Sequence, residues 1–562
     1  MGASAFSSDA TLAMQAPAQP TPRLCPIEFA IHAGINVENP YNPDEIDLRV
    51  TFTSPRGERT QAPAFWFLHQ SDPQQNGWRA RFTPATEGEW RAIATAITPQ
   101  NTFTSSAIAF TVSPRTAPGF VRLHPKNPRY LAFDNGATFF PIGVNLAWWR
   151  DDAKRDYTRW LDALHANGAN TARIWMASWS FGIEWDDTGL GNYNNRQHRA
   201  QWLDDVFALA EQRGIHLVVS LLPDREFRDD AVGHWRENPY NAANGGMLQT
   251  PQAFVTDDAA KAMFKRRLRY IAARWGYSPN LLAWEWWNEA ELARIETPAL
   301  QPWLREMTAH LRQFDVNRHL VTTSYAGNGD DDVWRMPEID LMQRHEYNMS
   351  PAWFKPVAGG FRLTPNAPAK PLLFGEFGYD ASGETPDPAS TLGIHLRNAQ
   401  WASAFNGFAS TAMYWWWDTL IDPANLWPAF KGVSAFLRGE DLAAYRDAPA
   451  TASTPKAIAM ALRQNDHALV WLRNAQYAQV FATTRHLTTL LTGEPFVFKV
   501  DTLRDVNVAI SGLRDGAYRI TWHDTRTGEP ISTVQVVSAG GVLTTTAPAF
   551  TEDLAAKVTP AR

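Results

Sequence analysis

Cysteine, long apolar runs and net positive charge are what this 562-residue chain has least of. Its one cysteine, Cys25, excludes an intramolecular disulfide framework and leaves a thiolate metal site without ligands. No stretch reaches the roughly 18 consecutive apolar residues that a membrane span needs. With 52 basic against 58 acidic residues the net charge is −6, so a nucleic acid or an anionic membrane surface is not the expected partner. The N-terminus shows no basic stretch followed by an apolar run. The expected location is therefore secreted or periplasmic if a signal peptide has been removed, and cytoplasmic otherwise. His-Glu-x-x-His, an Asp-rich calcium loop and a glycine-rich nucleotide loop between strand and helix are all missing, so neither a metal nor another cofactor is expected. The oligomeric state is not legible.

Tryptophan is present in excess: 25 residues, many beside polar neighbours instead of inside apolar runs. The apolar share of 44% is that of an ordinary folded protein.

The grammar of the chain changes twice. Residues 1–24, rich in Ala, Ser, Gln and Pro, read as a flexible tail. Over 25–118 short alternating runs such as Ile46-Asp47-Leu48-Arg49-Val50-Thr51-Phe52 are punctuated by turns such as Ser54-Pro55-Arg56-Gly57, the pattern of an immunoglobulin-like β-sandwich. Over 119–455 short apolar strands alternate with amphipathic helices. The clearest helix runs from about 257 to 275, where Phe264, Leu268, Ile271 and Trp275 share one face, with Thr256 as its expected cap. Eight candidate strands (139–145, 170–176, 216–222, 281–288, 319–325, 340–347, 371–378 and 411–417) predict a (β/α)8 barrel. Over 456–562 strand-like runs and the hairpin signal Asp524-Thr525-Arg526-Thr527-Gly528-Glu529 predict a second β-sandwich.

In such a barrel the reactive groups stand at the C-terminal ends of the strands. Strand 4 ends in Asn288-Glu289 and strand 7 in Gly375-Glu376-Phe377-Gly378, on opposite sides of the barrel mouth. Glycosidic bond cleavage needs such a pair, one carboxyl protonated and one ionised. A separation of roughly 5–5.5 Å gives retention of configuration and a wider gap gives inversion. Trp286 and Trp287 beside Glu289 favour its protonated form. Arg173 from strand 2 and Tyr347 from strand 6, which shares a face with His345, would hold Glu376 ionised. The residues alone leave the reverse assignment open. Trp179, Trp185 and Tyr193 after strand 2, and Trp235 and Tyr240 after strand 3, sit in long loops suited to a sugar-binding rim.

This constellation resembles the retaining (β/α)8-barrel glycoside hydrolases of clan A, which include the family-five cellulases and mannanases. The resemblance covers about 120–445, with an immunoglobulin-like domain before it. It implies an O-glycosyl hydrolase acting on β-linked oligo- or polysaccharide through a covalent glycosyl-enzyme, with Glu289 as acid/base and Glu376 as nucleophile. It implies substrate contacts from Asn288, Arg173, His345, Tyr347 and the strand-8 tryptophan, Trp417 or alternatively Trp415; Asn145, Trp179 and Tyr240 complete the candidate binding set. A transglycosidase using the same residues, or a non-catalytic carbohydrate-binding barrel, are the competing readings. One departure stands out. Where family-five enzymes carry a histidine near the end of strand 3, this chain reads Leu221-Leu222-Pro223-Asp224-Arg225.

Overall fold

The computed structural model describes residues 11–15, 20–326, 329–347, 368–378, 393–476, 491–493 and 500–561. Its centre is a ring of parallel strands: Gly143–Asn145, Thr171–Trp175, His216–Pro223, Leu281–Asn288, Leu320–Thr322 continued by Ser324–Ala326, Met342–Glu346 and Leu372–Phe377, each paired with the next. Tyr414 bridges Phe377 on one side and Val144 on the other, which closes the ring. This is the TIM barrel, with two departures from the expected strands. The eighth strand shrinks from seven residues to the bridge at Tyr414, because the chain turns into a π-helical stretch at Trp417–Ile421. The first is cut at Pro141, which cannot donate to a ladder. Its first part, Thr138–Phe139, joins Leu131–Phe133 and Val121–Leu123 in a small antiparallel sheet. That sheet packs Val121, Leu131 and Phe139 against Val218, Leu282, Leu320 and Leu373 from the starts of the barrel strands. It plugs the end of the barrel opposite the reactive rim.

The helices follow their capping chemistry. Asp152 caps Ala153–Ala166 by accepting from the Arg155 amide. Asp257, not Thr256 as expected, caps Asp258–Trp275 by accepting from Ala260 N. Phe264, Leu268, Ile271 and Trp275 are buried, as the periodicity predicts. The last helical segment of the barrel is Ala429–Leu437, followed by a short turn at Leu442–Ala444.

Two β-rich regions brace the barrel. At the N-terminal side two sheets share the core of Phe29, Trp78, Phe82, Leu48, Phe52, Trp90 and Phe110. The expected tail is shorter than 1–24, since Leu12–Met14 pairs with residues 31–33 and Thr21–Pro22 with Val112 and Ser113. This region docks on two barrel helices through Arg81 to Asp204 at 2.7 Å and Arg269 to Asp47 at 2.6 Å. At the C-terminal side a six-stranded and a three-stranded sheet enclose a second core around Val470, Leu472, Ile520 and Trp522. The 524–529 turn sits on the helix Ala429–Leu437, where a Cβ on Gly432 would fall 1.8 Å from the Thr525 carbonyl. Only glycine permits that approach. Of the strand-like runs of this region, the one at 496–500 lies almost wholly outside the described residues.

Candidate active site

Four strand ends meet on Arg173, which is wholly buried. Its Nε and Nη2 donate to the two carboxylate oxygens of Glu285 at 2.6 and 2.8 Å. Nη1 donates to Glu376 Oε1 at 2.7 Å and to Asn145 Oδ1 at 3.0 Å, and Nη2 also donates to Asn288 Oδ1 at 2.8 Å. One guanidinium therefore ties strands 1, 2, 4 and 7 together, the bidentate geometry for which arginine is suited.

Glu376 reaches this cluster through a β-bulge. Arg344 pairs with Phe374, but His345 pairs with Glu376, so Gly375 is the extra residue. A Cβ there would lie 2.5 Å from the Gln343 amide, which accounts for the glycine. Tyr347 donates its hydroxyl to Glu376 Oε2 at 2.7 Å. Burial pushes the Glu376 carboxyl up from its ordinary value, while His345, Arg173 and the Tyr347 hydroxyl oppose the shift.

Glu289 ends strand 4 in a left-handed backbone conformation, φ +50°, rare for a residue with a side chain. Its carboxyl is pushed up to about 8, first by burial and then by the charge of Asp224, against the opposing charge of Arg173. His345 Nδ1 lies 2.8 Å from Glu289 Oε1 and 3.5 Å from Glu376 Oε1. Burial pushes His345 down to about 4, so the ring is neutral near pH 7. With the Gln343 amide 3.3 Å from Nε2, the proton belongs on Nδ1 and is donated toward Glu289. One ligand-type atom each of Glu289, His345 and Glu376 lies within 4.8 Å of the other two. Three such atoms could in principle accept a cation; the neighbouring Arg173 charge and the proton on Glu289 disfavour it.

The remaining expected residues divide. Asn288 is in place, held between Arg173 and Asp224, whose Oδ1 accepts from Asn288 Nδ2 at 2.9 Å. Asn145 is fully buried and spends its amide on the Gly375 and Met413 carbonyls, 3.0 Å each, so it supports Arg173 instead of facing a ligand. Trp417 is wholly buried, within 6.4 Å of Trp148 and Trp160, whereas Trp415 is half-buried and lies 5.1 Å from Trp175. Trp179 is half-buried, 5.2 Å from the His234 ring. Tyr240, expected on the rim, is buried against Phe254, and Trp185, Tyr193 and Trp235 are buried as well. These aromatics fasten the loops to the barrel. Sequence reasoning missed Glu285 and gave Asp224 no role. A glutamate four positions after the start of the apolar run Leu281–Trp287, on the face opposite Trp284 and Trp286, was the available signal for Glu285.

Residues 25–94 match a domain of unknown function, DUF5060. The chain is 26% identical over 285 residues to mannan endo-1,4-beta-mannosidase A of Podospora anserina, covering 44% of this chain and 71% of that protein. It is 26% identical over 210 residues to mannan endo-1,4-beta-mannosidase 2 of Arabidopsis thaliana, covering 34% and 46%. The alignments thus span between about half and two thirds or slightly more of these relatives. Among solved structures, a Bacteroides vulgatus ATCC 8482 protein assigned to the glycoside hydrolases superposes with a TM-score of 0.63 at 16% identity, covering 96% of this chain and 99% of that one. At this identity the likeness is one of fold. The family model of the cellulases, glycosyl hydrolase family 5, matches residues 134–419, just over half of the chain and the whole of the ring that carries Glu289 and Glu376, and the chain accordingly belongs to that family of O-glycosyl hydrolases.

Proposed function

We propose that the protein is a retaining β-glycosidase that cleaves a β-linked polysaccharide through a covalent glycosyl-enzyme. The observation that carries this reading is the placement of Glu289 and Glu376, with one carboxylate oxygen of each within 4.8 Å of the other and of a His345 ring nitrogen. A gap of this order supports direct attack on a sugar carbon over the spacing of roughly 6.5–9.5 Å at which an inverting pair admits a water.

In the first step a Glu376 oxygen bonds to the anomeric carbon as the bond to the leaving oxygen breaks. Glu289 transfers its proton to that oxygen. The His345 donor occupies Glu289 Oε1, which leaves Oε2 to carry the proton. Arg173 and Tyr347 each donate to Glu376 and favour its ionised form before attack. In the second step ionised Glu289 takes a proton from water, the water oxygen bonds to the sugar carbon and Glu376 is released. Asn288 accepts from Arg173 through its oxygen and gives one amide hydrogen to Asp224; its second amide hydrogen is offered to the sugar. Trp415 and Trp179, both half-buried, supply the stacking surface.

The named activity of the relatives makes β-1,4-mannan the first substrate to try. The regions 25–118 and 456–562 act as an immunoglobulin-like domain and a β-sandwich that brace the barrel of 119–455. Incubation with a 2-deoxy-2-fluoro β-glycoside bearing a dinitrophenyl leaving group tests the reading. The expected result is a stoichiometric covalent label on the peptide that contains Glu376. Turnover of the same sugar series without any labelled peptide would overturn it.

A further inference from the structure

We infer that Asp224 is a positioning residue of this site, standing beside Glu289 on the neighbouring strand, where it fixes the Asn288 amide and sets the negative field next to the acid. The inference rests on the acid/base reading of Glu289 and goes beyond it.

The placement follows from register. Pro223, the last residue of its strand, pairs with Asn288, so the next residue on each strand, Asp224 and Glu289, stand side by side at the rim. Asp224 is 4% exposed. Its Oδ1 accepts from Asn288 Nδ2 at 2.9 Å, and its Oδ2 accepts from Arg228 Nη1 at 3.3 Å. Arg228 is clamped in turn by Asp230, at 3.1 Å from Nε and 2.6 Å from Nη2. The carboxylate is therefore held from both sides.

An amide has one acceptor oxygen and two N–H donors. Arg173 takes the Asn288 oxygen and Asp224 takes one N–H, which leaves a single hydrogen in one fixed direction. Burial pushes the Asp224 carboxyl up while the Asn288 donor and Arg228 oppose it. The charged groups acting on Glu289 are the anions Asp224 and Glu285 and the cations Arg173 and Arg228. Close by are neutral His345, together with Glu376, Tyr347 and Glu291. Among the anions, Asp224 acts most strongly on Glu289. Removing it makes the acid proton easier to lose.

The test compares the full-length wild type, Asp224→Asn and Asp224→Ala, with Glu289→Ala as control, through kcat and KM against pH on aryl β-glycosides with good and poor leaving groups. Both Asp224 variants should move the alkaline limb of kcat/KM down by about one pH unit. At pH 5, Asp224→Ala should lose roughly ten- to a hundredfold in kcat, whereas Asp224→Asn, which keeps an acceptor for Asn288, should recover most of it. Thermal melts confirm that each variant is folded. An unmoved limb in Asp224→Asn, or equal kcat losses in Asn and Ala, would overturn the inference while leaving the acid/base reading standing. An alkaline limb that persists in Glu289→Ala on the good leaving group would instead remove the acid/base reading, and the inference with it.

Discussion

Glu285 holds Arg173 with both carboxylate oxygens, at 2.6 and 2.8 Å, and neither side chain is more than 1% exposed. The pair is buried beneath the two carboxyls proposed for catalysis, and the same guanidinium reaches Glu376 at 2.7 Å. Arg173 therefore cannot leave Glu376 without breaking the Glu285 pair. Removal of one partner from a buried ion pair typically costs 3–5 kcal/mol, because the other charge is left uncompensated.

Glu285→Gln should accordingly lower the stability of the barrel by about 3 kcal/mol. Arg173 would then turn more of its charge toward Glu376, and kcat should fall by roughly tenfold or more as the nucleophile is over-stabilised and misplaced. Denaturant unfolding and steady-state kinetics on the same preparation check both effects.

The two strand-8 tryptophans should separate cleanly. Trp417→Ala empties a fully buried site against Trp148 and Trp160 and should cost about 3–5 kcal/mol of stability. Trp415→Ala, at a half-buried position, should cost about 1 kcal/mol and instead raise KM or lower kcat/KM by tenfold or more. Melting temperatures set beside kinetics distinguish the two patterns.

Glu289→Ala should spare substrates with activated leaving groups far more than natural ones, since only the poor leaving group needs the proton. Added azide should then give a β-glycosyl azide from the activated substrate. A leaving-group series, plotted as log kcat/KM against leaving-group pKa, should steepen relative to the wild type.

Stability should pass through a maximum in mildly acidic solution. His216 and His345 are pushed down to about 4 and His395 to about 3 by burial. The unfolded chain therefore binds more protons below pH 6.5, and stability falls as pH drops from there through about 4. Burial pushes Glu226 up to about 7 and Glu289 and Glu291 up to about 8. These groups hold protons in the native state that the unfolded chain has released above about 4.5, so their contribution is lost as pH rises through 7–8. The two slopes oppose each other between about 4.5 and 6.5, where unfolding free energies measured against pH should be highest.

Much of this was legible in the sequence. The change from period-two runs to alternating strands and helices marks the barrel, and the strand ends at Asn288-Glu289 and Gly375-Glu376 place the two carboxyls because a barrel offers its reactive groups only there. Loop aromatics were misread, since a tryptophan that stacks on sugar and one that pins a loop look alike in composition. Tyr240 and Trp235 are of the second kind. Trp417 and Trp415 have the same facing by period two, but the strand ends at the Tyr414 bridge and the π-helical turn removes that parity. The bulge at Gly375 and the roles of Glu285 and Asp224 depend on partners distant in the chain, which spacing alone does not name.

The most direct measurement is the product formed by Glu376→Ala with an aryl β-glycoside and azide. The variant should be nearly inactive alone, and azide, entering where the carboxylate stood, should restore turnover to an α-glycosyl azide. No rescue, or a β-glycosyl azide, would contradict the assignment of Glu376 as the nucleophile.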